Sequence, residues 1–483
     1  MADKEPTVNT PSGAYLDMEQ HFTLMNALKG GTLAMRAQGR TYLPQQAKES
    51  NDRWTLRKDA AVLLEAYGDA LATLSHKPFG ERVNMKEPNA LHEEIAEDVD
   101  LSGTDLTSFS RECLEDLIHF GKCHILVDHP NTHDLAEQIG RQLTLADTRV
   151  NNVRPYFIRL PGDMVIGWRG ERIQGIETLT RMRYRQTTIE PHGAYGEKDQ
   201  LRVIEWFPEG IVEHIKTTDD NNNEAFEAGG PMTNTLGKIP LVTIYANRQG
   251  LLHSYPVLEG LGHLNAKHWR NASDQDGIET VNRVPLLYLQ GFQENEVGSV
   301  VVGPYKAIHN RNPQADVKIV ETTGGAVKVG QDGLDRLERH MQAMTMAPLI
   351  RRPGNPTATE LTIEDGRQVS DLEAYVMLLE VGINQAFMLA DEWQGVAEPD
   401  SPDVAISQDF GPLPNARDLE ELREDFKLGA ISQKTYLWER QRRGLYSEDM
   451  DIETEIASME DAEGDATDGA EFEQEDEENR EAA

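Results

Sequence analysis

Two groups of side chains in this sequence have the types that bind metals or move protons. Cys123, His124, Asp128 and His129 lie close together in the chain, and a thiolate, imidazoles and a carboxylate would suit zinc. The run His124–Asp128 reads as a buried strand. Alternation sends His124 and Asp128 to one face and leaves His129 beyond the strand end, so no convergent ligand set follows. His263, His268, Asp274 and Asp276 fall on one expected helix and would suit a metal-dependent nuclease or hydrolase. Five residues turn a helix through roughly 500°, so the two imidazoles point to different sides, as solvated helix residues do. The P-loop, dinucleotide-binding, zinc-protease and nucleophile-elbow motifs are absent. The expectation is a chain with no catalytic residue, no metal and no cofactor.

A third group suits phosphate. Arg351 and Arg352 open the turn Arg351-Arg352-Pro353-Gly354-Asn355-Pro356, beside Thr357 and Thr359, and the turn holds no acidic residue. A guanidinium donates in pairs to phosphate oxygens. Two adjacent arginines are by themselves an ordinary solvated pair; their position between two helices gives them weight.

Those helices are read from spacing. Gly333–Ala347 carries Leu334, Leu337, Met341 and Met344 as one apolar stripe, and Pro348 cannot continue the ladder. Thr359–Trp393 carries Leu372, Val376, Leu379, Ile383, Phe387 and Ala390 on one face; such a helix is about 50 Å long. Pro256 opens another long helix to Val281, with Val257, Leu261, Leu264, Trp269 and Ile278. Between the two lies a strand-rich insert, Pro285–Gln290, Ser299–Val302, Ala307–His309 and Val317–Val320, turned by glycines and prolines. Two long helices bracketing a small β module make a strut with a knob at its tip.

The upstream portion reads as α+β with antiparallel hairpins. Helices are expected over Met18–Leu28 and Arg53–Leu74, with a third capped by Thr104 or Asp105 and ended by Gly121. Strands are expected over His124–Asp128, Pro155–Leu160, Met164–Trp168, Arg172–Leu179, Leu201–Phe207 and Pro240–Tyr245. Downstream come a short strand, Val404–Ile406, and helices Ala416–Leu428 and Gln433–Arg443.

The 483 residues carry a net charge of −36. From Glu448 onward, 17 Asp and Glu face one Arg, a net of −16, which leaves −20 for the rest. A body of that sign does not wrap nucleic acid by broad phosphate neutralisation, so any DNA contact is local. Cys113 and Cys123 form neither a disulfide framework nor a zinc pattern, which fits a reducing compartment. The polar start lacks a signal-peptide core, and no run nears the roughly 18 apolar residues of a membrane span.

In order, several stretches resemble the portal (head–tail connector) proteins of tailed bacteriophages, closest to a podovirus-type family formerly listed as a domain of unknown function. They are Tyr42-Leu43-Pro44 before the Trp54 helix, and Phe120-Gly121-Lys122-Cys123-His124-Ile125-Leu126-Val127-Asp128-His129-Pro130. Arg154-Pro155-Tyr156 leading to Ile166-Gly167-Trp168, Ile239-Pro240, and Pro285-Leu286-Leu287-Tyr288 follow. Pro356-Thr357-Ala358-Thr359-Glu360 and Gly429-Ala430-Ile431-Ser432 complete the series. The resemblance spans roughly residues 16 to 447.

The resemblance implies an α+β portal fold: an α/β wing, a two-helix stem, a β-rich clip, a long wing helix and a helical crown. It places a disordered N-terminus at 1–15, the wing at 16–252, stem helix 1 at 253–282, the clip at 283–330 and stem helix 2 at 331–347. The tunnel loop is 348–358, the long wing helix with a return strand 359–413, the crown 414–447, and an acidic disordered tail 448–483. Arg351, Arg352, Asn355, Thr357 and Thr359 would face DNA; Leu261, Leu264, Leu334, Leu337, Met341 and Met344 would pack the stem. The implied partners are a ring of about twelve copies, the major capsid protein, the terminase motor, the tail adaptor protein and double-stranded DNA, with no membrane. The place would be the virion, with host cytoplasm during assembly. Two alternatives remain: another virion component, such as an adaptor or capsid protein, and a metal-dependent phage nuclease or hydrolase.

Overall fold

A computed structural model describes residues 6–142, 144–218, 224–283, 286–290, 316–320, 325–344, 358–408 and 416–442, with 452 and 454–456. The chain is mixed helix and sheet and divides into two units, Met1–Gln408 and Asp409–Ala483.

The first unit opens with α1 (Gly13–Lys29) and α2 (Gly31–Ala37). Ser12 caps α1 by accepting from the Tyr15 N–H, and Tyr15, Met18, Phe22, Met25 and Leu28 fill its buried stripe. Residues 6–12, expected to be disordered, instead lie along a sheet: the Ser12 N–H donates to the Ile166 carbonyl at 2.8 Å. Arginines of that sheet hold their polar backbone, a tertiary contact that composition does not register.

The single helix expected over 53–74 is two, α3 (Asn51–Ala60) and α4 (Ala66–His76). Between them Ala61 and Leu63 are buried while Val62 and Leu64 are exposed, the alternation of an extended segment. Its backbone groups find partners elsewhere. Arg36 donates twice to the Ala61 carbonyl, at 3.0 and 2.8 Å, and the Leu63 N–H donates to Thr32 Oγ1 at 3.1 Å. Those bonds replace the helical ladder.

Then come β1 (Asn84–Met85), α5 (Ala90–Glu97), α6 (Leu106–Phe120) and β2 (Lys122–Asp128). Asp105 caps α6, and Gly121 ends it in the left-handed region at φ 72°. A Cβ on Gly121 would stand 1.9 Å from the Tyr255 carbonyl oxygen, so only glycine fits. After α7 (Thr132–Ile139), α8 (Leu145–Val150) and β3 (Tyr156–Leu160) the chain builds an antiparallel sheet. Its strands are β4 (Val165–Ile173), β5 (Ile176–His192), β6 (Gly196–Phe207), β7 (Gly210–Thr218) and β8 (Glu224–Ala228), in that order, with β9 (Met232–Thr233) on β7. The turn expected at Thr217–Asn223 lies mostly outside the described residues. Strand β10 (Leu241–Tyr245) returns to pair with β2, giving a second sheet in the order β10-β2-β3. Met182, Tyr184, Ile204, Trp206 and Ile211 from one sheet pack on Leu126 and Leu160 from the other. These inward positions alternate along each strand.

The hairpin β11 (Arg248–Gly250) and β12 (His253–Ser254) leads into α9 (Glu259–Arg283), which starts three residues after Pro256. Next are β13 (Leu286–Gln290), β14 (Asp316–Val320), α10 (Gly325–Met344) and α11 (Ala358–Trp393). Helix α10 begins well inside the stretch assigned to the β insert, correcting the boundary at 330. Gly324-Gly325 read as a turn, but packing on α9 extends the helix over residues whose own propensity is weak. The strands expected at Ser299–Val302 and Ala307–His309 lie outside the described residues.

The expected inner face of α11, Leu372, Val376, Leu379, Ile383, Phe387 and Ala390, is buried. By length and composition Asp371–Trp393 could cross a membrane, although Glu373 and Glu380 keep it from being one continuous apolar run. Its inner face belongs to the protein core. Finally β15 (Val404–Ala405) pairs with β1. In the second unit, α12 (Ala416–Lys427) and α13 (Gln433–Arg442) form a pair. Phe426 stacks on Tyr436 with ring centroids 4.5 Å apart, and Ser432 caps α13 by accepting from the Thr435 N–H at 3.2 Å.

Candidate functional site

Helices α9 and α10 pack antiparallel, and side-chain contacts fix their register. A Cβ on Gly260 would stand 2.7 Å from Met344 Cε. His268 Nε2 lies 3.1 Å from Glu338 Oε1, Gln275 Nε2 donates to the Val327 carbonyl at 2.9 Å, and Gln331 Nε2 donates to Glu279 Oε1 at 3.3 Å. The connection at the far end is the strand pair β13–β14, in register from Leu286↔Val320 to Gln290↔Asp316.

The near end is rooted in the body. Trp269 and Leu261 are buried. Asn265 accepts from the Tyr67 N–H at 3.0 Å and donates to the Leu64 carbonyl at 2.8 Å, and Glu259 meets His21 at 2.5 Å. Toward the far end Asp276, Gly277 and Ile278 are exposed on α9, as are Lys328 and Val329 on α10. Body contacts run along α9 as far as Asp274, which Gln46 meets at 2.6 Å and Arg57 at 3.3 Å, and the helix pair continues past them as a strut.

Of the expected packing residues, Leu261, Leu337 and Met341 are buried, Leu264 and Leu334 half-buried, and Met344 is 48% exposed. Arg351, Arg352, Asn355 and Thr357 lie outside the described residues; Thr359 falls in the first turn of α11.

The other candidate residues each have separate occupations. His124 Nδ1 pairs with Thr243 Oγ1 at 2.9 Å, Asp128 accepts from the Tyr156 hydroxyl at 3.1 Å, and His129 stacks on Trp393. Burial pushes the Cys123 thiol well up, and Cys113 is its hydrogen-bond neighbour. On α9 His263 is exposed and His268 buried. Among the described residues no group of three or more His, Cys, Asp and Glu side chains could hold a metal.

Sequence reasoning missed a basic face on the large sheet. Arg169 on β4 stands directly opposite Arg181 on β5, and Arg183 and Arg185 follow on the same side. Glu205 on β6 accepts from Arg181 and lies 3.2 Å from His214 Nε2. Arg183 donates to the carbonyls of Val8 and Thr10 at 2.5 and 3.1 Å, and Arg185 to the Asn9 side chain and carbonyl at 2.7 and 3.1 Å. Burial first, then neighbouring Arg181, hold the Arg183 guanidinium below its usual range. A cavity of about 570 Å³ lies between this face and residues 6–12. The signal was the period-two arginines of Arg181-Met182-Arg183-Tyr184-Arg185.

One buried cation stands apart. Lys122 on β2 is enclosed by Met18, Phe22 and Trp168, donates to the Leu252 carbonyl at 2.7 Å, and is brought down by burial to about 7.

Residues 257–394, the stretch from α9 through α11, match the family described as "Domain of unknown function (DUF4055)". No curated protein matches the chain. Among solved structures, the chain is similar to one in "Virion of native gene transfer agent (GTA) particle". The identity is 9% and the TM-score 0.41, over 85% of this chain and 98% of that one. It is also similar to one in "Neck of empty GTA particle computed with C6 symmetry", at 11% identity and TM-score 0.42, over 86% and 98%.

Proposed function

We propose that this chain is a portal-type subunit: one of about twelve copies in a closed ring at one vertex of a tailed-phage-type capsid, through which double-stranded DNA enters and leaves. In this reading α9 and α10 are the stem, the strands between them the clip, residues 348–358 the tunnel loop, α11 the wing helix and residues 414–447 the crown. The ring docks the major capsid protein, the terminase motor during packaging and the tail adaptor afterwards. Its place is the virion.

The observation that carries this reading is the α9–α10 strut, rooted in the body at one end, joined by paired strands at the other, and followed in sequence by the 36 residues of α11. An enzyme converges side chains on a pocket; a strut and knob reach a neighbouring subunit or partner. The net charge of −36 suits a conduit, because an acidic channel with few local cations does not hold passing phosphates. The test is removal of the chain in the particle-producing system that encodes it. Capsids should then form without packaged DNA; capsids filled to the normal level would overturn the proposal.

A further inference from the structure

The cavity of about 570 Å³ under residues 6–12 is lined by three guanidiniums, Arg169, Arg181 and Arg183, and among the described residues by one carboxylate, Glu205. Glu205 is 4% exposed, and both its oxygens are taken: one accepts from Arg181, and the other lies 3.2 Å from His214 Nε2. Arg183 is committed to the strap through the Val8 and Thr10 carbonyls. Gly167 leaves room for it, since a Cβ there would stand 2.4 Å from Arg183 Nη2. Arg169 is different. It is exposed to the cavity, and its side chain has no hydrogen bond or ion pair among the described residues. It stands directly across the strand pair from Arg181, a position in which like charges repel. Burial, then Arg181, hold the Arg183 guanidinium below its usual range; Glu205 opposes them and Arg169 adds to them. With His214 neutral, the lining carries a net charge of +2 in a chain of −36.

We infer that this cavity binds a small organic phosphate monoester, with the phosphoryl group on Arg169 between the sheet and the strap. A phosphate monoester carries about −1.5 to −2 charges at neutral pH, which balances the lining. The planar fork of Arg169 donates in pairs to phosphate oxygens, and an anion there relieves the repulsion between Arg169 and Arg181. A volume of about 570 Å³ falls among those of small-molecule sites and leaves space beyond a phosphoryl group. Trp168, Pro6 and Val8 wall that space and suit the organic portion. A DNA backbone fits less well, because the strap lies over this face and holds Arg183 and Arg185. The site is complete within one chain, so it needs no assembly.

The test is calorimetric titration of the purified full chain, in phosphate-free buffer, with adenosine 5′-monophosphate, inorganic phosphate and adenosine. The monophosphate should bind once per chain, about tenfold or more tighter than either of the others, and should slow amide exchange in residues 6–12. Arg169→Ala should weaken it about tenfold or more, the worth of a charged hydrogen bond, and leave the melting temperature of the free chain unchanged. No binding at millimolar concentrations, or binding that Arg169→Ala does not weaken, would overturn the site. Adenosine as tight as the monophosphate would overturn the phosphoryl contact, and inorganic phosphate as tight would overturn the organic portion. Displacement of the monophosphate by a short DNA duplex would assign the arginines to nucleic acid instead. Asp3 and Glu5 precede the strap in the sequence. Binding that emerges only in the Asp3→Asn, Glu5→Gln variant would assign the cavity to the chain's own carboxylates and overturn the external ligand.

Discussion

Gln275 on α9 occupies the space that a side chain at Gly330 on α10 would need: a Cβ there would stand 1.8 Å from Gln275 Oε1. The same amide donates to the Val327 carbonyl, so one side chain both requires the glycine and locks the register of the helix pair. Gly330→Ala should destabilise the strut by about 1–3 kcal/mol through overpacking. In a Gln275→Ala background the same change should be neutral or stabilising by up to about 1 kcal/mol, because alanine is the better helix former. Denaturant melts of the four variants, with hydrogen exchange on residues 270–283 and 325–340, measure both terms.

The strap at residues 6–12 depends on Arg183 and Arg185. Arg183→Ala removes two donors to its carbonyls, bonds of a kind worth about 1.5–3 kcal/mol each when the donor is charged and buried. Residues 6–12 should then exchange amide hydrogens faster and become open to proteolysis while the sheet beneath keeps its protection. Unchanged exchange there would show that Arg185, the Ser12–Ile166 backbone bond and the apolar contacts hold the strap without Arg183.

Stability should rise with pH between about 7 and 10 because of Lys122. Burial lowers its folded value to about 7, with Asp163 acting in the opposite sense, while the unfolded chain keeps a value near 10.4. Between those values the unfolded state binds more protons, so raising the pH favours folding. The cost of the buried charge is fully present below about 7 and gone above about 10. Lys122→Met should flatten the rise, measured as unfolding free energy against pH.

Arg351 and Arg352 are a point of local cation density in the sequence of an acidic chain. Changing both to Ala should leave ring assembly intact and alter packaging efficiency or DNA retention, since contacts with phosphate are screened over about 8–10 Å at physiological salt. Loss of ring stability would mean that they pair with a neighbouring subunit's acids. Normal assembly, packaging and retention together would return the turn to an ordinary solvated loop.

What was legible in the sequence was periodicity reinforced by chemistry at the ends. The inner stripe of α11, and α6 with Asp105 at one end and Gly121 at the other, lie where spacing and caps put them, because each signal is local. Three features were not local. The helix break at 61–65 is made by Arg36 and Thr32, far away in sequence. The early start of α10 depends on packing against α9. The strap at 6–12 is polar and short, and its order comes from arginines over 170 residues later. At the site, Leu261, Leu337 and Met341 are buried while Met344 and Ile278 are exposed, a division that spacing alone does not give, and the like-charged Arg169–Arg181 pair is a matter of strand register, which composition does not reveal.

Native mass spectrometry of the purified full chain, with electron microscopy of the same sample, tests the central claim most directly. The account predicts a closed cyclic oligomer of about twelve copies with an axial channel. A chain that stays monomeric across salt, pH and concentration, or that assembles only into open filaments, would contradict it.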